Sequence, residues 1–554
     1  MRKSFYYLGI AVAVAFIATG CGEAEPREVV YVTATPTPGS AAQHTEEAKA
    51  TETPEDTPAA TSSAKPTATP KAAATATPKA TATPKATPTP YVAENLGRFE
   101  AENGSLAGKV HKVSAGGNKN FSGDYVTGFE GDGDICTFNV TVKNDGFYDL
   151  TFRLRGIGGG KTNFISLDDE YIGDITIAGT ELGDAVLSRI FLSKGDHKVT
   201  VSKSWGWIDL DYMDVVSAEP VDREMYMVSK QLSNKNASDN TKRLFSYLVD
   251  IYGDKILSGQ VCDKGELGGE IQVIKNTTGK YPAILSMDLM EYTSSRPDGG
   301  ANGKTMIYVK NWNEKGGILE FHWHWTLSQK YVKGNWYSSF YTESTTFNLA
   351  KAMNGQDPEG YEMLINDMRN MAEILKTLND ADIPILFRPL HEASGGWFWW
   401  GASGAEAYKK LYKLMYEMYT YEYGLNNLIW LWNGQDASWY PGDEYCDILG
   451  IDIYPGEKVY TSQASKFFEV AGWSTANKPV YLSECGCIVD PELAVRDGAM
   501  WGEFCIWQGE FIKIGNYNKL SEQYNEAYML QKAYTSDTVL TLDELPDLKS
   551  YPME

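Results

Sequence analysis

Residues 383–401, IPILFRPLHEASGGWFWWG, carry the clearest indication of the fold. A short apolar run passes directly into polar residues, and then into two glycines and several bulky aromatics. Before it, apolar residues recur at helical spacing, three and four positions apart, at Leu364, Met368, Met371, Leu375 and Leu378. After it, AEAYKKLYKLMYEMYTYEYG (405–424) repeats a helical pattern and ends at a glycine. The stretch therefore predicts a strand between two helices.

The same alternation recurs over the last 330 or so residues. Eight short apolar runs begin at residues 255, 283, 317, 383, 428, 447, 479 and 503, with helical or loop sequence between them. Eight strand–helix units predict an α/β fold, a (β/α)₈ TIM barrel spanning 219–554. A doubly wound open sheet is the alternative, but no glycine-rich phosphate loop follows any of the runs.

Polar and aromatic residues cluster where these predicted strands end, which is where barrel enzymes carry their chemistry. They are Asp288, His322, His324, His391, Glu392, Asn433, Asp452, Tyr454, Glu484 and Trp507. A metal site is disfavoured, because His322 and His324 alternate faces on one strand and the sequence has no HExxH motif.

Glu392 and Glu484 differ from the other strand-end residues in their surroundings. Each follows a buried run and precedes a loop that contains glycine. Burial raises the pKa of one carboxyl while a neighbour stays ionised, the division that glycoside hydrolysis requires. The alternative from this pattern alone is a pair of structural, ion-paired acids.

An all-β module is predicted between residues 91 and 218. Phe138, Val140 and Val142 alternate with polar residues, Asn144-Asp145-Gly146 supplies a turn, and a second alternating run follows. Short strands over about 125 residues indicate a β-sandwich.

The N-terminal 90 residues contain export and linker signals. Arg2 and Lys3 precede a short apolar run that ends in small residues and Cys21, so residues 1–21 are similar to a bacterial lipoprotein signal peptide with Cys21 as the lipidated residue. Residues 22–90 are rich in Thr, Pro, Ala and Lys, which predicts a disordered linker, because the segment has too little apolar surface to pack. We therefore expect an exported lipoprotein, anchored in the membrane at the cell surface.

Composition restricts the partners. The formal net charge is −23, from 50 Lys+Arg and 73 Asp+Glu, which disfavours nucleic acid because the phosphate backbone would be repelled. Fifteen tryptophans favour a neutral ligand with flat apolar faces, such as a sugar.

The large domain resembles glycoside hydrolase family 26, in its mannanase branch. The motifs that carry the resemblance are FRPLHEASGGWFWWG, YLSECG, FYTESTTFNLAKAMN and TSDTVLTLDELP. The resemblance implies that Glu392 is the general acid/base and Glu484 the nucleophile of a retaining hydrolase. It also implies that six further residues contact the substrate or the carboxyl pair: His324, Arg388, His391, Trp397, Tyr454 and Trp507. One departure is WHWTL, where many members have WH-x-x-NP, and it affects the surroundings of His324.

The β module resembles carbohydrate-binding module family 35, on its opening RFEAENG and its closing SWGWIDLDYMDVV. The resemblance implies a jelly-roll sandwich with a structural Ca²⁺ held by Glu100, Glu102 and Asp211. The alternative is that these acids are ordinary strand-edge residues. Trp205 and Trp207 are either core residues or a platform for sugar stacking.

Together these features predict a monomeric endo-β-1,4-mannanase that acts on mannan, galactomannan or glucomannan by double displacement, with no cofactor for catalysis. Two alternatives remain at this point: a β-glucanase (lichenase) or xylanase of the same family, and a non-catalytic glycan-binding surface lipoprotein.

Overall fold

The computed structural model describes residues 93–117, 120–295 and 303–553. The predictions about the signal peptide, Cys21 and the linker up to residue 90 lie outside the described residues. Within the described part, no helix is both long and apolar enough to cross a membrane. All six cysteines of that part are buried and unpaired.

The N-terminal module is a sandwich of two antiparallel sheets, which confirms the predicted fold class. Its strands are β1 (Asn95–Glu100), β2 (Ser105–Ala107), β3 (His111–Val113), β4 (Tyr125–Thr127), β5 (Ile135–Val142), β6 (Gly146–Gly156), β7 (Lys161–Leu167), β8 (Glu170–Ile177), β9 (Gly183–Leu192), β10 (Gly195–Lys203) and β11 (Ile208–Ser217). One sheet has the order β3-β4-β11-β6-β9, with β1 also paired to β11, and the other has the order β2-β5-β10-β7-β8. Alternate side chains of both sheets fill the core between them.

The C-terminal region is a closed barrel of eight parallel strands, again as predicted. The barrel strands are β12 (Ile256–Val261), β13 (Ile284–Asp288), β14 (Ile318–His322), β15 (Ile385–Arg388), β16 (Leu428–Trp432), β17 (Ile448–Ile453), β18 (Val480–Cys485) and β19 (Glu503–Ile506). Neighbours in sequence are neighbours in space, and β12 closes the barrel by pairing with both β13 and β19. A short strand, β20 (Val539–Leu540), adds to β12.

Nine α-helices belong to the described part of the barrel region. They are α1 (Asp239–Ile251), α2 (Gly269–Thr278), α3 (Thr305–Glu314), α4 (Leu349–Met353), α5 (Pro358–Asn379), α6 (Ala405–Glu417), α7 (Ala464–Ala471), α8 (Pro491–Asp497) and α9 (Ala527–Tyr534). Helix α5 is the amphipathic helix predicted before the fourth strand; Asp357 caps it and Pro358 occupies its first turn. Helix α6 continues into a π-helical turn before the left-handed Gly424.

The module and the barrel are in direct contact. Arg189 of the module lies over the ring of Phe147, 4.7 Å from its centroid, and over Phe468 of helix α7, 5.2 Å from its centroid. In the other direction, Arg496 of the barrel lies 4.4 Å from the centroid of Phe191. These cation–π contacts fix one end of the sandwich against helices α7 and α8.

Candidate active site

The two predicted catalytic glutamates come together at the C-terminal end of the barrel. Glu392 follows β15 and has a left-handed backbone, with φ of +54°, held by a hydrogen bond from its N–H to the Asn433 carbonyl at 2.8 Å. Glu484 lies on β18, where the pairing register with β17 shifts next to Asp452. Carboxylate oxygens of Glu392, Asp452 and Glu484 all lie within 4.8 Å of one another. An unusual backbone and a strand irregularity thus direct three carboxyl groups to one point.

Arg388 forms the floor of the site. Its guanidinium donates to Glu484 Oε2 at 2.8 Å through Nη2, and to Asp452 Oδ2 at 2.9 Å through Nη1. All three side chains are completely buried. A buried ion pair requires such compensation, since an isolated charge at this depth would be very costly. Arg388 thus contacts one member of the carboxyl pair, as the family resemblance implied.

The surroundings of Glu484 favour its ionised form more than those of Glu392 do. Burial and the charge of Asp452 raise the pKa of Glu484 to about 8, and Arg388 and the hydroxyl of Tyr454, which donates to Glu484 Oε1, keep it from rising further. Burial keeps Tyr454 itself protonated by raising its pKa well above the usual value, so that it stays a donor. Tyr454 therefore contacts a member of the carboxyl pair, as the family resemblance implied.

Glu392 lies in a setting that keeps it protonated. Burial, followed by the charges of Asp452 and Glu484, raises its pKa well above the usual range. The Trp397 indole, which donates to Glu392 Oε2 at 2.9 Å, and the charge of Arg388 oppose this rise. Two buried carboxyls so close together titrate as a pair, and the first proton is lost from the member beside the cation. Of the two, Glu392 therefore keeps its proton more firmly, and Glu484 is the carboxyl that ionises first.

The loop that carries Glu392 depends on close packing. A Cβ added to Gly395 would lie 2.0 Å from the Trp397 ring, so the glycine is needed for the indole to reach the carboxyl. Trp399 and Trp400 are both buried, and their indoles donate to the carbonyls of Trp325 and His391, respectively. They support the loop from below and do not line the cleft.

Three histidines pack together beside the carboxyl pair. His324 Nδ1 is 2.7 Å from Asp288 Oδ2, which leaves Nε2 as the ring nitrogen for another partner. The ring of His391 lies 4.8 Å from that of His324, and among the described residues neither of its nitrogens has a hydrogen-bond partner. Trp507, predicted to contact substrate, is 6% exposed and lies 5.5 Å from His322, between ring centroids.

Potential metal ligands also meet in this cleft. Asp288, His322 and His324 bring ligand atoms within 4.8 Å of one another, as do Glu392, Asp452 and Glu484. In the second group, the Arg388 cation already compensates two of the carboxylates. In the first, the His324 ring is already engaged by Asp288.

Several residues that build the site were not among the predicted functional residues. Asn433 donates from Nδ2 to Asp452 Oδ1 at 2.6 Å and to Ser483 Oγ at 2.7 Å, and Ser483 donates to the same carboxylate at 2.9 Å. Asp452 and Asn433 were noted at strand ends, which is the signal that could have identified them. Glu320, on β14, is less apparent, since it lies in the middle of an apolar run.

In the module, Trp205 is 71% exposed and Trp207 is 49% exposed, so both lie at the surface and not in the core.

The acids predicted to bind Ca²⁺ lie around Ser122, whose hydroxyl donates to Glu100 Oε2 at 2.6 Å and to Asp211 Oδ1 at 3.0 Å. Glu102 has a buried carboxylate oxygen with no hydrogen-bond partner among the described residues. Convergent carboxylates with one oxygen left unsatisfied are compatible with a hard cation.

The geometry of the barrel site suits displacement at a sugar carbon. Retaining glycosidases place their two carboxyl groups about 5–5.5 Å apart, whereas inverting ones separate them by about 6.5–9.5 Å to admit a water. The separation of at most 4.8 Å between oxygens of Glu392 and Glu484 favours the retaining arrangement.

Comparison with known proteins agrees with this geometry. Residues 233–534 match the family described as glycosyl hydrolase family 26, and residues 97–218 match carbohydrate binding module (family 35). A mannan endo-1,4-beta-mannosidase of Thermothelomyces thermophilus is 35% identical over 81% of this chain and 90% of its own length. Mannan endo-1,4-beta-mannosidase B of Piromyces sp is 36% identical over 81% of this chain and 77% of its own.

Solved structures give the same assignment. The GH26-CBM35 beta-(1,4)-mannanase of Podospora anserina has a TM-score of 0.56 and 32% identity, covering 82% of this chain and all of its own. A ruminal GH26 endo-beta-1,4-mannanase has a TM-score of 0.59 and 30% identity, covering 83% and 99%. The chain therefore belongs to glycosyl hydrolase family 26, with a family 35 carbohydrate-binding module ahead of its barrel.

Proposed function

We propose that this chain is a retaining endo-β-1,4-mannanase that hydrolyses internal bonds of mannan, galactomannan or glucomannan. The observation that carries the proposal is the pair Glu392 and Glu484, whose oxygens lie within 4.8 Å of each other and of which Glu484, beside Arg388, ionises first. The substrate is inferred from the relatives, which match most of this chain and are mannan endo-1,4-beta-mannosidases.

The first step uses both glutamates at once. Glu484 attacks the anomeric carbon while Glu392 donates its proton to the glycosidic oxygen, so the C–O bond breaks and a glycosyl ester forms on Glu484. Arg388 and Tyr454 hold the attacking carboxylate by its two oxygens, which fixes its direction.

In the second step, Glu392 changes from general acid to general base. Its carboxylate takes a proton from water, the water oxygen attacks the anomeric carbon, and the ester bond to Glu484 breaks to restore the resting pair. Trp397 donates to Glu392 Oε2 and so stabilises the carboxylate that exists between the steps.

The test is release of reducing ends from mannan, glucomannan, lichenan and xylan under the same conditions. We expect the mannose-containing polymers to be cleaved and Glu484→Gln to lower the rate by more than about 1,000-fold. Glu457→Gln, at an exposed position after β17, is the matched control and should keep wild-type activity. Preferential cleavage of lichenan or xylan would replace mannan as the substrate, and binding without products on all four would indicate a non-catalytic glycan binder.

The proposed reaction needs no cofactor, because the carboxyl pair supplies both the nucleophile and the proton.

In the module, we assign Glu100, Glu102 and Asp211 to a structural Ca²⁺. The unsatisfied oxygen of Glu102 and the position of the other two carboxylates on the first and last strands support this. Chelation should then lower the melting temperature of the module, and added Ca²⁺ should restore it; an unchanged melting temperature would contradict the site.

For location, the proposal follows the N-terminal sequence: an exported lipoprotein, anchored through a lipid on Cys21 and tethered by the Thr/Pro-rich residues 22–90. The substrate partner is the polysaccharide, and we expect a monomer. Detergent phase partitioning of the wild type and of Cys21→Ser tests the anchor. The wild type should enter the detergent phase and the variant should not; equal partitioning would exclude lipidation at this residue.

A further inference from the structure

Two glutamates lie inside the barrel, below the site already described. Glu320 is on β14 and Glu503 begins β19, and both are completely buried. An ionised carboxylate at such depth needs a cation or several donors, and a neutral one needs at least a hydrogen bond. Neither residue takes part in the proposed reaction.

The contacts of this pair are few. Glu320 accepts from Ser286 Oγ at 2.8 Å, and its Oε1 is 3.6 Å from Arg388 Nε. The carboxyl of Glu503 lies beside that of Glu320 and interacts with it, and among the described residues no group donates to either oxygen of Glu503 or to Oε2 of Glu320. Two carboxylate oxygens meet in this way only if a proton lies between them, because neither can otherwise donate.

Glu320 reaches the active site through Arg388. The guanidinium presents Nη2 to Glu484, Nη1 to Asp452 and Nε to Glu320, so one cation faces three carboxyl groups on three strands. Negative charge on Glu320 therefore competes with the nucleophile for the same positive charge. The shared proton with Glu503 limits the pair to one negative charge.

We propose that Glu320 and Glu503 form a proton-sharing carboxyl pair that positions Arg388 against Glu484 and sets how strongly Arg388 stabilises the charge of the nucleophile. Both are positioning residues, since they act through Arg388 and touch no substrate. The inference rests on the proposed function, because Glu484 must be the nucleophile for its charge to matter.

Other titratable groups face these positions. Around Glu320 and Glu503 they are Arg388, Asp452, Tyr481, Cys485 and Cys505. Around Glu484 they are Arg388, Glu392, Asp452, Tyr341 and Tyr454. Burial raises the pKa of Tyr481 and of both thiols, which keeps them neutral. Among these groups, the Glu320 carboxyl is the one that faces Arg388 Nε, so a substitution of Glu320 changes the charge on that side of the guanidinium.

The test compares variants that keep or remove that charge. Glu503→Gln still donates to Glu320 and leaves its negative charge, so the acid limb of kcat/KM against pH should stay within about 0.3 pH units of wild type. Glu320→Gln moves the remaining negative charge of the pair to Glu503, away from Arg388 Nε, and the double variant Glu320→Gln/Glu503→Gln removes it, so that in both Arg388 is more fully available to Glu484. Their acid limb should move to lower pH by about one unit.

Kinetics on mannohexaose, with melting temperatures for each variant, give the outcome. A fall in kcat without movement of the acid limb in Glu320→Gln and the double variant would show a structural role only and overturn the proposal. A limb that moves as far in Glu503→Gln as in Glu320→Gln would also overturn it. If the double variant does not fold, Glu320→Gln alone carries the same prediction. If the wild type fails to cleave mannohexaose at any pH, the proposed function is wrong. This result differs from one in which the wild type is active and all variants share its acid limb, which overturns only the role of Glu320 and Glu503.

Discussion

Replacing Tyr454 with phenylalanine removes one hydroxyl from the nucleophile and changes little else. The Tyr454 ring packs against Phe511 with centroids 5.2 Å apart, a contact that phenylalanine keeps. The lost group is the donor to Glu484 Oε1, while Arg388 still holds Oε2. The variant therefore isolates the contribution of one hydrogen bond to the ionisation of Glu484.

The size of the effect follows from the type of bond. A hydrogen bond to a charged group contributes about 1.5–3 kcal/mol, and each pKa unit corresponds to about 1.4 kcal/mol. Losing the Tyr454 hydroxyl should therefore raise the pKa of Glu484 by about 1–2 units. Since the carboxylate is the reactive form, kcat/KM below the acid limb should fall about 10- to 100-fold, with a smaller loss above it.

The assay is kcat/KM for mannohexaose across the pH range, with Tyr331→Phe as the matched control. The Tyr331 hydroxyl also donates to a carboxylate, Asp357, at 2.9 Å, but this pair takes no part in the site. We expect the control to keep the wild-type acid limb. The reasoning would be refuted if Tyr454→Phe lowered kcat/KM by one constant factor at every pH, because then the hydroxyl would not act on the ionisation of Glu484.

Two further predictions concern pH. Trp397→Phe removes the donor to Glu392 Oε2, so the pKa of Glu392 should rise further and the alkaline limb of kcat/KM should move up by about one unit; an unmoved alkaline limb would contradict this. Burial lowers the pKa of His322 to about 3. Between about pH 6.5 and 3, His322 is then protonated in the unfolded chain and neutral in the folded one. The free energy of unfolding therefore falls by about 1.4 kcal/mol for each pH unit below about 6.5, and His322 has no such effect above that pH. Urea unfolding at several pH values should show a shallower acid dependence in His322→Gln, and equal slopes would exclude the effect.

The barrel and its catalytic pair were predictable from sequence for clear physical reasons. Parallel strands buried on both faces read as short apolar runs, and the residue that ends each run must lie at one end of the barrel. Glu392 and Glu484 each stand at such an end, so their proximity followed from the fold class alone. The sandwich was readable from alternation, because each of its strands has one buried face.

Side-chain direction and long-range pairing were not predictable. Trp397 was expected to contact the substrate or the carboxyl pair, and the structure specifies a hydrogen bond to Glu392 that depends on the close approach allowed by Gly395. Trp205 and Trp207 could have been core or surface from their spacing, and only the packed module shows them to be exposed. Glu320 and Glu503 are about 180 positions apart, and no local pattern relates them. A charged residue within an apolar strand was the signal that could have drawn attention to each.

Double displacement requires a covalent sugar on Glu484 during turnover. A 2-deoxy-2-fluoro mannoside or mannobioside with a fluoride leaving group should form this ester faster than water removes it. Digestion and mass spectrometry of the treated enzyme then locate the label. We predict one added glycosyl group, on the peptide that contains Glu484, and no label in Glu484→Gln. An unlabelled enzyme that still cleaves mannan, or a label on Asp452 or Glu392, would contradict the assignment.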